Sequence, residues 1–144
     1  MADLTITAAS VVKGSSGSES IDSSRNSGET LTAGETVYLK SADSKWWKAE
    51  AVTSAEVAGS GAFGICLNST EGAGQPVSVI KGGDVTLGAV LTATEVYVLS
   101  TVAGKICPLA DLVSAEYLTI LGYAASTSNL RMTSVAKATG IAKA

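Results

Sequence analysis

The chain has 144 residues, 46% of them apolar, with 10 basic and 13 acidic side chains and a formal net charge of −3. This length suits one hydrophobic core, since a domain of about 150 residues hides roughly 68–70% of its unfolded surface. The acidic balance, with a pI near 4.9, offers no basic field for a phosphate backbone and argues against a nucleic-acid partner.

In chain order, LTITAASVVK alternates and is β-branched, which predicts one or two short strands. Residues 14–28, GSSGSESIDSSRNSG, hold seven Ser, three Gly and Ile21 as the one apolar side chain. Nothing there can drive packing, so the expectation is a long Ser/Gly-rich loop or flexible arm. TVYLK and KWWKAEAV read as a hairpin closed by the SADS turn. TSAEV has capping-box spacing, Thr53 to Glu56, ended by Gly59 and Gly61. GAFGICLN, QPVSVIK and DVTLG predict three strands divided by STEGAG and KGG, where glycines permit reversals. VYVLS and KICPL follow around a TVAG turn, with Pro108 at a strand end or edge. EYLTILGYAAS is the most continuous apolar run, and NLRMTSVA predicts the last strand.

GETLTAGETVYLKSADSK from Gly28 and GAVLTATEVYVLSTVAGK from Gly88 nearly repeat each other. Gly28/Gly88, Leu31/Leu91, Thr32/Thr92, Ala33/Ala93 and Glu35/Glu95 share an offset of 60. Further on, FGICLNST lies opposite LGYAAST. Residues 1–144 are therefore expected to form one all-β domain, an antiparallel sandwich or barrel, with 28–87 and 88–144 as pseudo-repeat halves.

Histidine is absent, which removes the usual general base and the commonest transition-metal ligand, and with them the His-based nucleophile arrangements. Cys66 and Cys107 form no CxxC pair and are too few for a structural zinc site. Their apolar neighbours mark them as buried free thiols rather than a disulfide. Glu35, Glu50, Glu95 and Asp111 stand among small polar residues with few aromatic rings nearby, the pattern of solvated charge rather than of a glycosidase pair. No cofactor and no catalytic activity are expected. MADLTITAAS lacks the basic and apolar regions of a signal peptide, and no apolar run approaches the ~18 residues of a spanning helix. A soluble chain made in a cytoplasm, with no membrane partner, is the expectation.

The candidate partner contacts are Trp46, Trp47, Ile21, Arg25, Arg131, Lys137 and Lys143. Trp46 and Trp47 are neighbours on a strand, so one should enter the core and the other face outward, to a protein partner or a sugar ring. Ile21 and Arg25 lie in the polar stretch. Arg131, Lys137 and Lys143 give residues 117–144 a local charge of +3, either a basic tail or a docking patch.

LTITAASVV, GETLTAGETVYL, DSKWWKAEA, GICLNSTEGAGQPVSVIKGGDVTLG, LTATEVYVLSTVAGKICPLADL and EYLTILGYAAS together resemble small structural proteins encoded beside the major capsid protein of tailed phages. The chain looks most like the capsid cement, or head decoration, proteins of short-tailed phages. The resemblance spans nearly the whole chain, through turn and strand patterns without a reactive signature residue. It implies a jelly-roll-like β-sandwich and a homo-oligomer, with a dimer favoured over a trimer. It further implies synthesis in a host cytoplasm and a place on the capsid exterior, bridging major capsid protein subunits. The Ser/Gly stretch is longer than the linkers of such proteins. A carbohydrate-binding or fibre module on the virion surface, with a glycan as partner, is the alternative reading.

Overall fold

The computed structural model describes residues 3–17, 19–51, 62–111, 117–132 and 141–142. Among them the chain is all-β. The strands are β1 (Val12–Lys13), β2 (Ser20–Asn26), β3 (Thr36–Lys40), β4 (Lys45–Lys48), β5 (Phe63–Cys66) and β6 (Pro76–Thr86), followed by β7 (Val96–Leu99), β8 (Ile106–Pro108), β9 (Tyr117–Leu118), β10 (Ile120–Ala124), β11 (Asn129–Met132) and β12 (Ile141–Ala142). The helical pieces among the described residues are two short 3₁₀ turns, Ala8–Ser10 and Leu109–Asp111. The expected capping box at Thr53 and Glu56 lies outside the described residues.

Two expectations are corrected. QPVSVIK and DVTLG form one strand of 11 residues, β6. At Gly83, whose φ is +87°, β6 continues instead of reversing and changes partners. Its first half pairs with β5 (Ile65↔Ile80) and its second with β11 (Leu130↔Val85). The predicted loop at 14–28 is strand over Ser20–Asn26, because β1 and β2 run antiparallel along the opposite edge of β6, from Val12↔Thr86 to Asn26↔Pro76. Backbone pairing, which needs no apolar side chain, fixes this serine-rich segment. The ladder tolerates register shifts at Ser20/Ile21 and Asp22/Arg25.

The main sheet has the order β4-β3-β5-β6-β11-β10-β7-β8, which is the same arrangement from either end. Hairpin β3–β4 continues into β5 and β6, and hairpin β7–β8 into β10 and β11. The two echoing stretches open these hairpins in matching ways. Gly34 (φ +96°) and Thr94 (φ +71°) both take the left-handed region. The Gly34 N–H donates to the Cys66 carbonyl (2.9 Å), as the Thr94 N–H does to that of Ala124 (2.8 Å). Gly64 and Gly122 also correspond, since a Cβ at either would run into a carbonyl oxygen of the facing strand, that of Ile80 or Arg131.

Strand alternation sorts the side chains into two cores. Val37, Trp46, Cys66, Val77 and Val79 join Leu31 in a smaller one. Their neighbours Tyr38, Ile65 and Ile80 point the other way, into a larger core shared with Val85, Tyr97, Leu99, Leu121 and Leu130. Each fully buried aliphatic contributes about 1.5–3 kcal/mol. The sheet curls around the smaller core until Ser27 bridges Trp46 and the Gly28 N–H reaches the Trp46 carbonyl (2.8 Å). The result is the layered, jelly-roll-like sandwich expected from the sequence.

Both cysteines are free and buried. Cys66 donates to the Thr32 carbonyl (2.9 Å), and burial pushes its thiol pKa up to about 12.

Candidate interaction surface

Hairpin β3–β4 buries one tryptophan fully and leaves the other half-buried against the larger core. Trp46 is fully buried in the smaller core, and its indole N–H has no hydrogen-bond partner. Trp47 is half-buried on the opposite face. It lies over Gly28, where any side chain would collide with the indole. Its Nε1 donates to the Asp43 carboxylate (3.1 Å), and the Lys40 ammonium stands 4.6 Å from the ring centroid. The turn and the cation hold the ring in one orientation, as an aromatic contact residue requires.

Ile21 and Arg25 stand on β2. Ile21 is 37% exposed and Val12 56%. The two line one groove with Lys13, Leu67 and Ser78. Arg25 lies opposite Val77, and its Nε is 3.7 Å from Asp22. The Ser24 hydroxyl and N–H, with smaller help from Lys81 and Arg25, hold the Asp22 carboxyl below its ordinary range.

Arg131 lies elsewhere, on the outer face of β11. Val96, Tyr123, Arg131 and Asp84 are successive cross-strand partners over β7, β10, β11 and β6. Asp84 accepts from Arg131 Nε (2.9 Å) and Nη2 (3.2 Å) and from Asn129 Nδ2 (3.2 Å). Arg131 Nη1 also donates to the Tyr123 hydroxyl (3.4 Å). The Arg131 hydrogen bonds hold the Asp84 carboxyl low against the opposing effect of burial, and Asn129 reinforces them. They push the guanidinium pKa up in turn. The Arg131 guanidinium is therefore engaged within its own sheet.

Glu19, which the sequence did not single out, accepts from the Ser16 and Gly17 N–H groups and from the Asp84 N–H (3.1 Å). The Ser16 hydroxyl, and after it the Asp84 N–H, push its carboxyl down to about 2. Its position just after two glycine-serine steps was the available signal, because such turns present free N–H groups to an acid.

The candidate contacts thus do not converge. Trp47 belongs to one hairpin, Ile21 and Arg25 to the β2 rim and Arg131 to the outer face, while Lys137 and Lys143 lie outside the described residues. Among the described residues no three His, Cys, Asp or Glu groups gather to hold a metal ion, and no helix is long and apolar enough to cross a membrane. No family model, curated protein or solved structure matches the chain. What the fold defines is an all-β protein whose candidate contact residues lie on separate surfaces.

Proposed function

We propose that this chain is a structural virion protein that binds the outside of an icosahedral phage capsid and stabilises it by bridging major capsid protein subunits. The observation that carries this reading is the groove of Val12 and Ile21, two of the largest exposed apolar side chains, on strands pinned along the whole of β6. Adjacent exposed apolar side chains on a rigid edge are suited to a protein contact. The sequence resemblance supplies the partner.

The mechanism is linkage. A ligand that binds the closed lattice better than the loosened one shifts that equilibrium, by about 2.7 kcal/mol per site at ~100 times its Kd. No catalytic group takes part. Heads stripped of the protein should release DNA at a lower temperature than decorated heads, and adding back purified protein should restore the difference. Val12→Asp with Ile21→Asp should lose that rescue while keeping the wild-type circular dichroism spectrum. Equal DNA release from stripped and decorated heads would refute the reading and favour a glycan-binding module.

A further inference from the structure

The chain has two arginines, and they are treated differently. The Arg131 guanidinium directs its donors to Asp84 and Tyr123. The Arg25 guanidinium makes no hydrogen bond among the described residues, although its Nε is shielded from solvent. The carboxylate beside it is committed elsewhere. Asp22 accepts the Ser24 N–H (2.9 Å) and the Ser24 hydroxyl (2.6 Å), and it stays 3.7 Å from Arg25 Nε. Lys81 is the other cation of this rim, near enough to help lower the Asp22 carboxyl. The preceding acid in the chain, Glu19, is held by the amides of Ser16, Gly17 and Asp84. A shielded guanidinium nitrogen without an acceptor is unfavourable, and an incoming carboxylate relieves it.

Arg25 stands on a strand with an open edge. β2 has β6 on one side and, until Ser27 bridges Trp46, no strand on the other among the described residues. Ser20, Ile21, Ser23, Ser24 and Asn26 are exposed. The two faces of this strand differ. Ile21 pairs with Ile80 and stands on the groove side with Val12 and with Ser23, whose hydroxyl meets that of Ser78 (2.8 Å). Asp22 and Arg25 pair with Val79 and Val77 and so share the other face. Regular alternation would put Arg25 on the Ile21 side, and the register shift between Asp22 and Arg25 moves it across. A strand laid along this edge alternates likewise, with one set of side chains over the Val12 and Ile21 groove and the other beside Arg25.

We propose that the open edge of β2 takes an extended segment of its protein partner as an added strand, in which apolar and acidic residues alternate. The apolar side chains enter the groove of Val12 and Ile21, and an Asp or Glu carboxylate accepts from the Arg25 guanidinium fork. Backbone hydrogen bonds hold the segment, and the alternation selects it. A wholly aliphatic strand leaves Arg25 without an acceptor, and a basic one meets Arg25, Lys81 and Lys13. That the segment belongs to the major capsid protein rests on the capsid reading; the chemistry that selects it does not.

The probe is a capped heptapeptide of alternating valine and glutamate, followed by NMR titration of the isotope-labelled full chain. Amide shifts should move along Ser20–Asn26 and around Val12. Exchanging the glutamates for glutamine, or substituting Arg25→Gln in the protein, should weaken binding by about tenfold or more. Combining the two should weaken it little further, because they remove one interaction. Ile21→Asp should weaken binding comparably, whereas Lys105→Gln, which removes a cation beside β8, should leave affinity unchanged. Circular dichroism melting ensures that only folded variants are scored. Of two peptides N-methylated on alternate residues, one should bind and the other should not, since an added strand uses the amides of one edge. A peptide that does not bind overturns the proposal, as do an equally tight glutamine peptide, N-methyl isomers that behave alike, or shifts confined to other strands. Shifts in β2 that depend on protein concentration without peptide would make a second copy the occupant and overturn it as well. Heads stabilised by a protein that ignores the peptide would leave the capsid reading standing alone, and peptide binding with equal DNA release would refute the capsid reading alone.

Discussion

The first hairpin unit buries both faces of its strands, whereas the second does so along β7 and β8 but buries only one face of β10 and β11. β3, β4 and β5 place Val37, Trp46 and Cys66 in the smaller core and Tyr38 and Ile65 in the larger. β10 and β11 bury Leu121 and Leu130 but present Tyr123 and Arg131 outward. Two units of one strand plan thus serve different purposes. In the first, curling covers the far face with β2. In the second, that face stays open and is stabilised by a polar row of Tyr123, Arg131 and Asp84.

The largest expected effect tests what the units share. Gly122→Ala and Gly64→Ala both force a Cβ against a carbonyl oxygen of the facing strand. Backbone cannot yield as a flexible side chain does, so each substitution should cost about 3 kcal/mol in urea unfolding. If one glycine tolerates alanine, the two positions are not equivalent.

A smaller effect should appear only in the second unit. Asp84→Asn removes the charge from its row, and the urea midpoint at pH 7 should fall. Because hydrogen bonds lower the folded pKa of Asp84, its stabilisation is present above the ordinary aspartate pKa of about 3.9. It is lost as pH drops through the lower folded value. Variant and wild type should therefore converge in acid, and a difference that stays constant from pH 7 to acid would rule out a charge effect.

The smallest effect sharpens the comparison at the turns. Thr94 and Ser44 hold positive φ where their counterparts are Gly34 and Gly104. Relief of left-handed strain, partly offset by glycine's unfolded-state entropy, should make Thr94→Gly and Ser44→Gly stabilising by about 0.5–1 kcal/mol each. Lower thermal midpoints for both would show that the hydroxyl side chains favour those conformations.

Much of the fold was legible because alternation is local. TVYLK and KWWK declared the hairpin, and the adjacent tryptophans declared that one would be buried. What was hidden depends on distant partners. The serine-rich β2 carries no apolar pattern, since β6 holds it through the backbone, and Gly82-Gly83 reads as a turn unless the change of partners at that point is known. Asp84 and Arg131 are 47 positions apart, so the engagement of Arg131 was not visible in a local count of charges.

The pairing of Val12 with Thr86 also sets a timetable for synthesis. β1 and β2 leave the ribosome well before the strand they join, and at ~5–20 residues per second the wait lasts on the order of several seconds. An unpaired strand is a template for aggregation in that interval, and apolar, uncharged segments are the most hazardous. SIDSSRN, with one aliphatic side chain and both signs of charge, can wait in water without seeking the wrong neighbour. The composition that conceals this strand from a reader of the sequence also keeps it harmless until β6 arrives.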